Sequence, residues 1–224
     1  IKEQAWRSVY SMVASYVENE KLREALSFHT LLVGGNPMNT SSIYALIHKL
    51  EKDGGVWWAR GGTNRLIAGM VRHFERLGGT MRVGDPVVQV HTLGTKATEV
   101  ETKSGFRQRF DAVASNADIM HSYKDLMSGS ARGKQMAKSL GRKSYSPSLF
   151  VVHFGLEGTW PGIPHHMILF AKRYKGLLDD IYKNGVVPED FAIYLHHPTV
   201  TDPSMAPAGK STFYALVPVS HMGK

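Results

Sequence analysis

Two adjacent histidine pairs, His165-His166 and His196-His197, are the residues whose type most directly invites metal or proton-transfer chemistry. Each pair falls in a stretch that reads as a strand, where neighbouring side chains point to opposite faces, so one pair cannot easily supply two ligands to one ion. No HExxH or comparable carboxylate spacing accompanies them, and no metal is expected. The sequence has no G-x-S-x-G turn to present a nucleophilic serine. With no cysteine, thiolate catalysis, disulfides and cysteine-ligated zinc or iron–sulfur sites are excluded. There is also no G-x-G-x-x-G, so the phosphate turn of a dinucleotide fold does not lie in this stretch.

The remaining chemical signal is a turn. Gly55–Met70 reads GVWWARGGTNRLIAGM: an apolar-aromatic run, Val56-Trp57-Trp58, is cut by Arg60-Gly61-Gly62 and followed at once by a helical pattern. Two glycines let the backbone turn sharply because a missing Cβ permits φ > 0. Thr63 can cap the helix that follows. Leu66, Ile67, Met70, Val71, Phe74 and Leu77 recur at helical spacing and make one face apolar. Gly78-Gly79 ends the helix.

Around this turn the chain divides into three kinds of stretch. Residues 4–28 read as one amphipathic helix with Trp6, Val9, Val13, Tyr16 and Val17 on a face. After the break LLVGGNPMNTSS, Thr40 or Ser41 caps a second helix with Ile43, Leu46, Ile47 and Leu50 inward. Beyond Gly79 short strands are expected at 81–83 and 87–92, a hairpin over 98–102 and 107–110, and a buried strand over 111–115. Asn116 or Asp118 then caps a helix, and 129–142 is a surface helix or linker. In the last third, four strands (148–156, 166–170, 191–197 and 211–219) flank one helix near 173–183. Strands without a helix after each one argue for a mostly antiparallel sheet.

The composition sets outer limits. Of 224 residues, 42% are hydrophobic and 21% charged, enough to bury a core. No run of about 18 apolar residues marks a membrane-spanning helix. A net charge of +8 suggests an anionic partner: nucleic acid, lipid headgroups or a phosphate-bearing cofactor. Nucleic acid has no recognisable binding motif here and is not the expected partner. Arg132, Lys134, Lys138, Arg142 and Lys143 lie in a stretch free of acidic residues, which is either a solvated face or a patch for a membrane surface. The chain opens on Ile1 and is read as a piece of a longer protein.

The ordered blocks SFHTLLVGGNPMNTSSIYALIHKLE, GVWWARGGTNRLIAGM, VASNAD, SLFVVHFGLE and FAIYLHHPTVTDPSMAP resemble bacterial-type phytoene desaturases, carotenoid enzymes of the FAD-containing amine-oxidase-like superfamily. The resemblance runs over essentially the whole chain, with Ala59 where the family usually has proline before Arg-Gly-Gly. It implies an α/β fold with an α+β substrate part: a segment of the FAD-binding domain (56–128), a helical lid (1–55) and a mostly antiparallel-sheet substrate domain (129–224). It also implies that the backbone of Val87 meets the adenine of FAD, that Asn116 lies on the strand returning toward the flavin, and that Trp57 and Trp58 form cavity wall. A core valine, a helix cap and a packed tryptophan are the plain alternatives.

The implied reaction removes a hydride and a proton from a long polyene, phytoene, held by apolar burial. It needs both phosphate-binding ends, which lie outside these blocks, so this stretch alone is expected to be inactive. No residue has a catalytic role that the sequence secures; Arg142, Lys143 and His153 are basic residues near apolar strands, the first two better suited to the surface. The implied setting is cytoplasmic, on a membrane surface that holds the substrate. A diapophytoene desaturase, isomerase or ketolase would share these features, and a basic α/β binding module without enzymatic activity is the competing class.

Overall fold

The computed structural model describes residues Gln4–His221. Its helices are α1 (Val9–Ala14), α2 (Glu20–Ser27), α3 (Leu46–Gly54), α4 (Thr63–Arg76), α5 (Ile119–His121), α6 (Ala131–Leu140) and α7 (Tyr174–Asp179). Its strands are β1 (Val87–Leu93), β2 (Lys96–Thr102), β3 (Arg107–Arg109), β4 (Ser148–Glu157), β5 (His166–Leu169), β6 (Ile193–His196) and β7 (Lys210–Val219). Contacts cluster into two compact units. One draws on the chain up to Ala68 together with the chain from Tyr145 onward; the other is Gly69–Ser144. The stretches 1–55, 56–128 and 129–224 read from the sequence follow functional domains of the resemblance, and these two units cut across them.

The larger unit is built on a four-stranded antiparallel sheet in the order β4-β7-β6-β5. All four strands expected in the last third are present. Pairing of β4 with β7 runs unbroken from Ser148↔Val219 to Glu157↔Lys210. The core gathers about α7 and the wider π-type turn that continues it: Tyr174, Leu177, Leu178 and Ile181 pack with Phe28, Ala171 and Ala192. Burial raises the Tyr174 hydroxyl well above the ordinary tyrosine range, and that hydroxyl lies 3.2 Å from Ser27 Oγ.

The N-terminal helix expected over 4–28 is two helices. The first ends at Ala14, where Ser15 is its C-cap, and Asn19 starts the second: its side chain accepts from Leu22 N–H and caps α2. Val9 and Val13 are buried as expected, whereas Trp6 and Tyr16 are exposed. Ser41 caps the next helical stretch through Ile43 N–H, which begins as a 3₁₀ turn over Ser42–Ala45 before α3. Ile43, Leu46 and Leu50, expected inward, are at least half exposed. The helix is amphipathic, yet its apolar face has no cover among the described residues.

The smaller unit is organised by a β1-β2-β3 meander. Asp85 pins it: its carboxylate accepts from Thr102 Oγ1 (2.7 Å), Ser104 N–H (2.9 Å) and Ser104 Oγ (2.7 Å), tying the turn before β1 to the turn after β2. These bonds, the Ser104 hydroxyl first, hold Asp85 below the usual carboxylate range. Two expected strands do not form. Residues 81–83 and 111–115 have no regular structure, and Val83 and most of 111–115 are exposed. A strand exists through its ladder of neighbours, and none lies beside either segment among the described residues. Asp118, rather than Asn116, supplies the cap, accepting from His121 N–H at 2.9 Å.

No helix among the described residues is long and apolar enough to cross a membrane. Leu178 is fully buried in the α7 core, so Leu178→Ala is expected to destabilise the larger unit by about 2–5 kcal/mol, the usual range for emptying a packed leucine site. The denaturation midpoint of the variant measures it, and an unchanged midpoint would remove α7 from the centre of the core.

Candidate functional site

Gly61 and Gly62 both adopt left-handed backbone, with φ of +82° and +81°. That conformation is open to glycine without strain. Close packing adds a second demand, since a Cβ on Gly62 would come within 3.0 Å of Met205 Cε. The turn is held by a residue far away in sequence. Asp202 Oδ2 accepts from Gly61 N–H at 2.5 Å and from Trp58 Nε1–H at 3.2 Å, and Oδ1 accepts from Ser204 N–H (3.1 Å) and Ser204 Oγ (2.6 Å). The Gly61 N–H foremost, then the Ser204 hydroxyl, holds the Asp202 carboxyl far below the ordinary aspartate range. An Asp-Pro-Ser sequence forms such a turn locally; that its carboxylate would reach back to Gly61 had no local signal.

Trp58 carries this anchor into a cluster of imidazoles. Its ring packs edge-on against His165, with centroids 4.9 Å apart, and lies 5.6 Å from His196. His196 closes β6 and is the register partner of His166 at the start of β5. His165 precedes β5, so strand alternation does not govern it, and its ring lies 4.4 Å from that of His166. The second pair does point apart. His197 points away, stacked on Phe213 at 4.2 Å with its Nδ1 2.9 Å from the Ile163 carbonyl.

Three histidines therefore converge. A ring nitrogen of each of His165, His166 and His196 lies within 4.8 Å of the other two. His165 Nε2 and His196 Nε2 are 2.9 Å apart; His165 Nδ1 meets Thr201 Oγ1 and His166 Nδ1 meets the Tyr194 hydroxyl, each at 2.6 Å. Burial, then the neighbouring imidazoles, pushes His196 down to about 4. Burial foremost also lowers His165 and His166, so the cluster is neutral at pH 7.

Trp57 and Trp58, expected as cavity wall, both line an open recess of about 580 Å³ that also includes Arg60 and Asp202. Trp57 is 89% exposed and donates from Nε1 to the Gly54 carbonyl. Val87 begins β1, an edge strand of its sheet, and the ladder slips between Val87 and Gln89. A free strand edge at a register slip offers the exposed backbone groups that a contact to a flat ring requires. Asn116 is exposed in the loop before α5. Its neighbours Ser115 and Ala117 line a recess of about 380 Å³ between the β1-β2 hairpin and α5, and Val87 is not part of that recess.

A family model, flavin containing amine oxidoreductase, matches residues 7–223. The chain belongs to this family. Among curated proteins it is 53% identical over 224 residues to a phytoene desaturase (lycopene-forming) of Paracoccus sp., covering 100% of this chain and 45% of that protein. It is 49% identical over 222 residues to a phytoene desaturase (lycopene-forming) of Pantoea ananas, again covering 45% of the relative and 99% of this chain. The chain thus spans just under half the length of these relatives. Among solved structures it resembles an oxidoreductase from Methanosarcina mazei, with a TM-score of 0.69 at 19% identity over 96% of this chain and 47% of that one, a likeness of fold. Membership in a flavin-containing family makes FAD, the expected cofactor, the one it implies. Among the described residues the outer edge of β1, where Val87 lies, has no partner strand. No glycine-rich phosphate turn of the G-x-G-x-x-G kind occurs in the chain.

Because Asp202 titrates far lower in the folded state than the ordinary aspartate value of about 3.9, its contribution to stability is fully present above that value and is lost as pH falls below it. Asp202→Asn leaves one acceptor oxygen where two face four donor bonds, so the variant should melt at lower temperature at pH 7. Its melting temperature should also fall less steeply than the wild type's between about pH 5 and pH 2. Parallel melting curves across that window would show that the carboxylate does not hold the turn.

Proposed function

We propose that the protein of which this chain is part is an FAD-dependent carotenoid desaturase acting on phytoene. The observation that carries this reading is 53% identity, over the full 224 residues, to a phytoene desaturase (lycopene-forming). Bound flavin would supply the hydride acceptor. The chain's own part is to hold and orient an oily, handle-free hydrocarbon and keep water from it.

The available surfaces suit that task. β4 carries Leu149, Phe150, Val151 and Val152, all between 38% and 61% exposed; alternation puts two on each face of the sheet. Apolar burial at ~25 cal/mol per Å² supplies affinity where hydrogen bonds cannot. The Asp202 anchor fixes Trp58 in place, which keeps one wall of the recess rigid. A substrate dissolved in lipid also favours a peripheral, cytoplasmic position on a membrane. Arg132, Lys134 and Lys138 are exposed along α6, with Arg142 and Lys143 exposed just beyond it, and each basic residue near an anionic surface contributes on the order of 1 kcal/mol.

Expression of the full-length gene in phytoene-accumulating cells is expected to turn them from colourless to pigmented, with colour reporting how many double bonds are added. Cells that remain colourless while making folded, flavin-loaded protein would overturn the assignment. Association of the full-length protein with anionic liposomes should weaken as salt rises. Salt-independent association would remove the electrostatic part of the membrane proposal.

A further inference from the structure

We propose that His165, His166 and His196 form a binding site for a divalent first-row transition ion of the zinc class. The cluster lies wholly within the larger unit, and nothing in the desaturase reading requires it.

The donor set defines the ion. Three imidazole nitrogens with no carboxylate among them suit Zn²⁺, Co²⁺, Ni²⁺ or Cu²⁺, whereas Mg²⁺ and Ca²⁺ need oxygen. Metal-bound histidines normally have the second ring nitrogen fixed by a hydrogen bond, which sets the tautomer and aims the ligating nitrogen. Two of the three rings meet that condition, at 2.6 Å each: Thr201 holds His165 Nδ1 and Tyr194 holds His166 Nδ1. The Nε2 atoms of those rings are thereby left for the ion.

The distances are close to what an ion needs. A tetrahedral ion with bonds of about 2.0–2.1 Å sets its ligand nitrogens about 3.3 Å apart. The His165–His196 pair, at 2.9 Å, must open by a few tenths of an ångström, and His166, exposed at the start of β5, must close in. Three protein ligands leave a fourth position for water. An ion here would brace the β5-β6 pair against the Thr201-Asp202 segment that holds the Gly61 turn.

One rival cluster, His29, His48 and Glu51, also brings three donor atoms within 4.8 Å. There His48 Nε2 is turned out of the cluster onto the Leu26 carbonyl at 2.8 Å, whereas in the His165 cluster the bonds to groups outside it hold the Nδ1 atoms and leave Nε2 facing inward. The His165 cluster is the better site, and the rival supplies an internal control.

The test uses untagged full-length protein, stripped with chelator and titrated with Co²⁺. Binding is read as d–d absorption at wavelengths beyond the flavin bands and as quenching of Trp58 fluorescence, since that indole lies against two of the ligands. A saturable band with one ion per chain, displaced by Zn²⁺, is expected. Tyr194→Phe should weaken binding by about tenfold or more through loss of the orienting bond. His166→Ala, an exposed substitution, should weaken it at least as much while melting near the wild-type temperature, and His48→Ala should leave it unchanged. Absence of a saturable band, a band equally strong in His166→Ala, or one lost in His48→Ala would each overturn the proposal.

Discussion

The larger unit turns on one buried carboxylate. Asp202 Oδ2 takes the Gly61 N–H and the Trp58 indole N–H across 141 and 144 residues of sequence, while Oδ1 closes its own turn with Ser204. A buried carboxylate is tolerated only when its lone pairs are met, and here four donor bonds meet them. In return the charge holds the first of two left-handed glycines, whose backbone has no Cβ to restrict it. Trp58 and the wall it gives to the recess beside it take their position from that contact. Asp85 plays a comparable part in the smaller unit, drawing two turns of the meander together.

A second feature is the amount of apolar surface left open. On α4, Leu66, Ile67, Met70 and Phe74 are all between 46% and 64% exposed, although the helix is strongly amphipathic. β4 is open on both faces, and the 81–83 and 111–115 segments lie outside both sheets. Soluble monomers rarely leave contiguous apolar area of this extent uncovered. The chain spans just under half the length of its curated relatives. The well-packed part, around α7 and the β6-β7 pair, is where both sides of each contact lie within this stretch.

The sequence by itself determined the local elements. The four strands of the last third, the 98–110 hairpin, the glycine turn and the existence of α4 all follow from periodicity and turn chemistry within about a dozen residues, whereas 129–142 read as either a surface helix or a linker. The ordered blocks were enough to indicate the family. Residues whose state depends on a distant neighbour were not legible. The 111–115 segment has the composition of a buried strand, but pairing makes a strand and composition does not. The helix that the apolar spacing of 4–28 promised ends at Ala14 and restarts after the Asn19 cap, a choice between capping and propagation that periodicity cannot see.

The histidines show where that boundary lies. His196 and His197 do point apart, the first ring lying against Tyr214 and the second stacked on Phe213. Alternation failed for His165 and His166, since the strand begins between them, and it could say nothing of His196 facing His166. Register between strands is set by the whole sheet and the turns that close it, so only the tertiary structure could bring three imidazoles to one point and hang the Gly61 turn from Asp202.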